Sequence, residues 1–186
     1  NHVGLIRAFE ELLRAAPNLP HHLVMVGKDT WFSETVRAAA ARSAVASRIH
    51  FTGFVEDEDL LRLYGACDLF VYPSHYEGFG LPILEAMACG RAVACSNTSA
   101  MPEVADSAAL LFDPSSVPEM VRAMRDLLVD TELRTRMERL GLHRATLFSW
   151  EKTARKTLEV YYAIAGRSRR PATPVKPGKP VSLTRS

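Results

Sequence analysis

The chain predicts an α/β fold, doubly wound around a mainly parallel sheet, and three observations carry that expectation. Short apolar, β-prone runs alternate with longer stretches whose apolar residues recur every three or four positions. The runs close on glycine, proline or polar turns. The run at 23–27, Leu-Val-Met-Val-Gly, has no polar alternation, as expected of a central parallel strand buried on both faces.

The elements follow in order. Val3, Leu5, Ile6, Phe9, Leu12 and Leu13 set a helical period almost at once, leaving no residues for a preceding strand, so the chain is expected to begin within a domain. After the strand at 23–27, residues 31–46 read as a helix carrying Trp31, Phe32, Val36, Ala39 and Ala40, and residues 49–52 as the next strand. Four acids at 56–59 stand directly before Leu60, Leu61, Leu63 and Tyr64 at helical spacing. Acids favour the positive end of a helix, which explains them better than a metal or catalytic cluster.

A strand at 68–72 ends at Pro73, and a short helix at 81–89 carries Pro82 in its first turn and Gly90 as its C-cap. Residues 92–96 form a further strand, and a polar turn leads into a short helix at Pro102. An edge strand lies at 108–112, followed by helices at 117–129 and 131–146. Ser149 caps a last amphipathic helix at 151–165.

Composition narrows the function classes. With 186 residues, 47% apolar and 24% charged, the chain is an ordinary globular one able to bury one core. No apolar run is long enough to span a bilayer and the amino end lacks a signal pattern, so a cytoplasmic setting is expected. Three cysteines, Cys67, Cys89 and Cys95, have no metal-like spacing and read as reduced thiols. No histidine pair has metal-ligand spacing, and no metal is expected.

The net charge is +2, yet residues 166–186 hold six cations and no acid, leaving −4 on the rest. A basic tail therefore sets the sign, and no nucleic-acid face is implied. With four prolines and two glycines, that tail has a disordered composition. Peripheral contact with anionic lipid through Arg167, Arg169, Arg170, Lys176 and Lys179 is open to it, though a solvated tail is the simpler reading.

The informative stretch is 73–90, which joins strand to helix through a loop bearing Gly78 and Gly80 and sets Glu77 and Glu85 eight positions apart. A helix N-terminus presents unpaired N–H groups and partial positive charge beyond the strand's carboxyl end, where a phosphate fits. A bare carboxylate beside a phosphate is repelled, so the two glutamates make sense facing hydroxyl donors of a sugar or ribose. Phosphate flanked by sugars describes a nucleotide sugar. Two solvated glutamates beside an unrelated glycine pair are the plainer alternative, since Gly-x-Gly alone is a weak signal.

The string Glu77-Gly-Phe-Gly-Leu-Pro-Ile-Leu-Glu85 resembles the E-x7-E motif of retaining GT-B glycosyltransferases of family 4, the glycosyl transferases group 1 family. The resemblance covers about residues 1–165 and implies the carboxyl-terminal lobe of a GT-B enzyme, with a crossover helix at 151–165 and a tail beyond. It implies that Glu77 and the Gly78, Phe79, Gly80 and Leu81 backbone contact the transferred sugar and diphosphate, and that Glu85 binds the ribose. Phe54 and Val55 would lie beside the base, and Thr98 and Ser99, at a strand's carboxyl end, stand within reach of the diphosphate. The resemblance also implies retaining transfer to an acceptor hydroxyl, with no cofactor and no essential metal.

Residues 1–9 resemble the family segment that follows a Lys-Asn pair, so the lysine and arginine that clamp the diphosphate would precede Asn1. Ala92 stands where the family has a proline and Asp106 where it has a glycine. Lys28 could supply some of that charge, although a lysine just past a strand is more often a solvated loop residue. The rival from another class is a binding-only nucleotide-sugar module. A phosphorylase or epimerase of the same shape fits less well, because no Schiff-base lysine is identifiable and epimerases lack this loop.

Overall fold

The structure is a computed structural model and describes residues 1–30 and 32–166. The chain divides into two compact units, residues 1–147 and 148–186.

The first unit opens with helix α1 (His2–Ala15), whose Leu5, Ile6, Phe9 and Leu12 are buried. Strands β1 (Leu23–Val26) and β2 (Ile49–Gly53) pair in parallel, Leu23 opposite Ile49, with a register shift between Met25 and Val26. Helix α2 (Ser33–Arg42) joins them. It is shorter than the expected 31–46 because Ser43 turns extended and its Oγ accepts the Val45 N–H at 3.3 Å. Such a local side-chain bond competes with continuing the helix. Trp31 lies outside the described residues.

Helix α3 (Asp57–Ala66) has Asp57, Glu58 and Asp59 in its first turn, as the charge argument requires. Strands β3 (Leu69–Tyr72), β4 (Ala92–Ser96) and β5 (Leu110–Phe112) form a second parallel sheet in that order. Helix α4 (Leu81–Ala88) connects β3 to β4, and α5 (Met101–Ala105) lies between β4 and β5. Helices α6 (Val117–Val129) and α7 (Thr131–Thr146) fall on the bounds the apolar period predicts.

One expectation fails. Strand β1 is not buried on both faces: Val24 and Val26 are 45% and 40% exposed, while Leu23 and Met25 point inward. Among the described residues the five strands make two sheets, and β1 has β2 as its sole hydrogen-bonded neighbour. The fully buried strand is β4, flanked on both sides, with all five residues enclosed. The core joins α1 to Met120, Met124 and Leu127 of α6, Met137 of α7, and Ala92, Ala94 and Phe112 of the sheet. Its methionines fill the irregular spaces between helices and sheet.

In the second unit the described residues form helix α8 (Trp150–Ile164), with Ser149 Oγ accepting the Lys152 N–H at 3.1 Å as the predicted cap. Leu158, Tyr161, Tyr162 and Ile164 are exposed on it. From residue 167 on, the basic tail lies outside the described residues. Among the described residues no helix is long and apolar enough to cross a membrane.

Candidate functional site

Strand β3 ends at buried Pro73, and α4 starts at Leu81, with Pro82 in its first turn where a missing N–H breaks no bond. Gly80 caps that start in the left-handed region, φ 97°, and a Cβ there would stand 3.2 Å from Ile83 Cδ1. The helix stops in a Schellman motif: Gly90, φ 71°, donates to Met87 O and Arg91 donates to Ala86 O. These glycines fix both ends of an eight-residue helix whose first-turn amides face the space beyond β3.

Each glutamate is hydrogen-bonded to a phenol, and the two phenol rings are joined through Phe70. Glu77 is half-buried, and its Oε1 accepts from the Tyr72 phenol and from Ser74 Oγ, each at 2.7 Å. Glu85, on the exposed side of α4, accepts at Oε2 from the Tyr64 phenol at 3.0 Å. Phe70 stands between the phenols, edge-on to Tyr64 at 5.4 Å and stacked with Tyr72 at 5.9 Å.

Burial, then the hydrogen bond and charge of Glu77, push the Tyr72 phenol up to about 12, and Glu85 adds to the shift. Burial followed by the Glu85 charge raises Tyr64 further, and Tyr72 contributes there too. Both phenols are therefore hydrogen-bond donors at neutral pH, and both carboxylates act on one small electrostatic cluster.

A second loop braces the first. The Glu77 N–H donates to Ser99 Oγ at 3.0 Å, and Thr98 Oγ1 donates to the His75 carbonyl at 3.0 Å. Thr98, expected near a diphosphate, thus has its hydroxyl hydrogen directed at the loop. Ser99 holds a positive φ of 52°, so the β4–α5 turn is shaped around this contact. Gly78, Phe79 and Leu81 are exposed beside the start of α4, and a Cβ on Gly78 would meet nothing within 4 Å.

Phe54 and Val55 sit on a different loop, the one after β2, which meets the loop after β1. The Gly27 N–H donates to Gly53 O at 3.0 Å, and both glycines have positive φ. Phe54 is 58% exposed and carries Lys28 Nζ 4.6 Å from its ring centroid. Residue-by-residue reading assigned no role to Tyr64, Tyr72 or Ser74, and Ser99, expected like Thr98 near a diphosphate, has its hydroxyl turned to the Glu77 N–H. Only Tyr72 gave a signal, since Phe70 and Tyr72 share one face of a strand at period two.

A groove of about 340 Å³ between α1 and α2, lined by Val3, Ile6, Arg7, Glu10 and Arg42 among others, is built from other residues altogether. Among the described residues no group of three His, Cys, Asp or Glu side chains is placed to share a metal ion.

A parallel α/β lobe with a helix start and a braced carboxylate pair beyond one strand is of the class that binds ligands at the carboxyl ends of its strands. The chain belongs to the glycosyl transferases group 1 family, whose model matches residues 1–144. It is 39% identical over 158 residues to the O-antigen chain mannosyltransferase B of Escherichia coli, covering 85% of this chain and 41% of that protein. The chain therefore spans less than half the length of that relative.

Among solved structures it is similar to the C-terminal domain of a glycosyl transferase group 1 family protein, LpcC, from Francisella tularensis. The TM-score there is 0.69 and the identity 28%, over 78% of this chain and 77% of that one. It is also similar to sucrose-phosphate synthase from Thermosynechococcus elongatus, with TM-score 0.74 and 25% identity, over 87% of this chain and 42% of that one. The fold is that of the carboxyl-terminal lobe of a GT-B glycosyltransferase.

Proposed function

We propose that this lobe binds a nucleotide-diphosphate sugar and supports transfer of the sugar, with retention at the anomeric carbon, to an acceptor hydroxyl. The amides of Gly78, Phe79, Gly80 and Leu81 at the start of α4 take the diphosphate and stabilise the charge that grows on it as it leaves. Glu77 accepts hydrogen bonds from the sugar hydroxyls and Glu85 from the ribose. Phe54 and Val55 flank the base, while Thr98 shapes the loop from behind.

One observation carries the reading: beside one helix start, Glu77 is held by Tyr72 and Ser74 and Glu85 by Tyr64, and Phe70 packs between the two phenol rings. Membership of the family supports it, and the mannosyltransferase relative makes a hexose, mannose among them, the natural sugar to try. Catalysis in this reading is positioning and preorganised electrostatics, assigned to family 4 and independent of any metal or cofactor. A cytosolic setting with reduced cysteines belongs to the same reading.

The lobe taken alone binds donor weakly and does not transfer, because acceptor contacts lie outside it. A binding-only module differs from this at one point, turnover. Calorimetric titration with UDP, GDP and ADP identifies the base. In the full-length enzyme Glu77→Ala lowers turnover by about a hundredfold or more while the melting temperature stays put. Unchanged turnover refutes the role given to Glu77.

A further inference from the structure

We infer that Tyr64 and Tyr72 are positioning residues that divide the donor between them, Tyr64 setting Glu85 for the ribose and Tyr72 setting Glu77 for the transferred sugar. This rests on the donor-binding reading above and adds residues to it.

The geometry assigns one oxygen of each carboxylate to the protein. Tyr72 and Ser74 both donate to Oε1 of Glu77, so Oε2 is the oxygen offered to a ligand. Tyr64 donates to Oε2 of Glu85, so Oε1 is offered there. A carboxylate held by one oxygen has lost its rotation before a hydroxyl arrives, and that ordering cost is not met again on binding. The phenols can hold position because their rings are fixed: Phe70 packs edge-on to Tyr64 and stacks with Tyr72. Tyr64 is buried within α3, and Tyr72 is the last residue of β3, so each phenol starts from a rigid element. Substitution by phenylalanine keeps the ring packing and deletes only the donor.

The test compares ligands within one variant, so that any general weakening cancels. Calorimetry gives two ratios for the unaltered chain. The first sets UDP and GDP against their 2′,3′-dideoxy forms, which reads the ribose hydroxyls. The second sets UDP-glucose and GDP-mannose against UDP and GDP, which reads the sugar. Tyr64→Phe should shrink the ribose ratio about five- to tenfold and leave the sugar ratio unchanged. Tyr72→Phe should do the reverse by a similar factor. Thermal melts check that both variants fold. If both variants keep both ratios, the positioning assignment is overturned while the donor reading stands. If the unaltered chain binds none of these nucleotides, the donor reading fails and takes the assignment with it.

Discussion

Gly141 in α7 lies against Met87 in α4: a Cβ at 141 would stand 3.0 Å from Met87 Cγ and 3.6 Å from its Cα. Helix α7 thereby fixes the depth of the helix whose first turn carries the site, and close approach of the two backbones is what the glycine permits.

Gly141→Val forces α4 outward or bends α7. We expect a loss of about 2–3 kcal/mol, read from urea melts, together with weaker nucleotide binding. A midpoint equal to the parent's would show that the helices slide past the added methyls.

The two loop glycines should separate stability from binding. Gly80→Ala puts a side chain at φ 97°, 3.2 Å from Ile83 Cδ1, and is expected to cost about 1–2 kcal/mol. Gly78→Ala meets open space, so its melt should stay within about 0.5 kcal/mol of the parent. Its methyl nevertheless occupies the approach proposed for the diphosphate, and calorimetry should find several-fold weaker donor binding. Undiminished binding by Gly78→Ala would place the phosphates elsewhere.

Asp106 adopts φ 51° and ψ −136°, a region that suits glycine, at a position where the family resemblance calls for glycine. Asp106→Gly should therefore raise stability by about 1 kcal/mol. The change removes a 3.7 Å pair with Arg144, but the Asp106 side chain is largely exposed and such pairs contribute little. Arg144 also donates to the Val104 carbonyl at 3.0 Å, so it keeps an anchor. A lower denaturation midpoint would mean that the ion pair outweighs the strain.

Alkaline pH should loosen the site. The Tyr72 phenol titrates near 12 in the folded chain, against about 10 when unfolded, so folding favours its protonated form. Its stabilisation is complete below pH 10 and is lost as pH rises through 12. Tyr72→Phe should make the fall in stability across that window shallower. The buried Cys95 thiol, also pushed up to about 12, is common to both proteins and cancels. In difference absorbance, the Tyr72 step should appear near 12; a step near 10 would deny the phenol its burial and its Glu77 partner.

Local signals carried most of the fold. The apolar period placed α6 and α7, and Ser149 as cap placed α8, each within a residue or so, and Pro82 with Gly90 bracketed α4. The setting of β1 was misread because strand pairing is non-local: an apolar run shows that a strand wants cover, not which neighbour supplies it. At the site the spacing of Glu77 and Glu85 was legible from the motif. Their phenol partners were not, since Tyr64 reaches Glu85 across 21 residues and only the packing of α3 on α4 brings them together. Thr98 was read for its hydroxyl at a strand end, and which atom that hydroxyl meets depends on how two loops fold against each other.

Amide chemical-shift mapping on addition of UDP-glucose or GDP-mannose tests the central claim most directly. The account predicts that the largest shifts fall on Gly78, Phe79, Gly80 and Leu81, with a second group around Glu85 and Tyr64. Shifts confined to the groove near Arg7 and Arg42, with the loop before α4 unmoved, would contradict it.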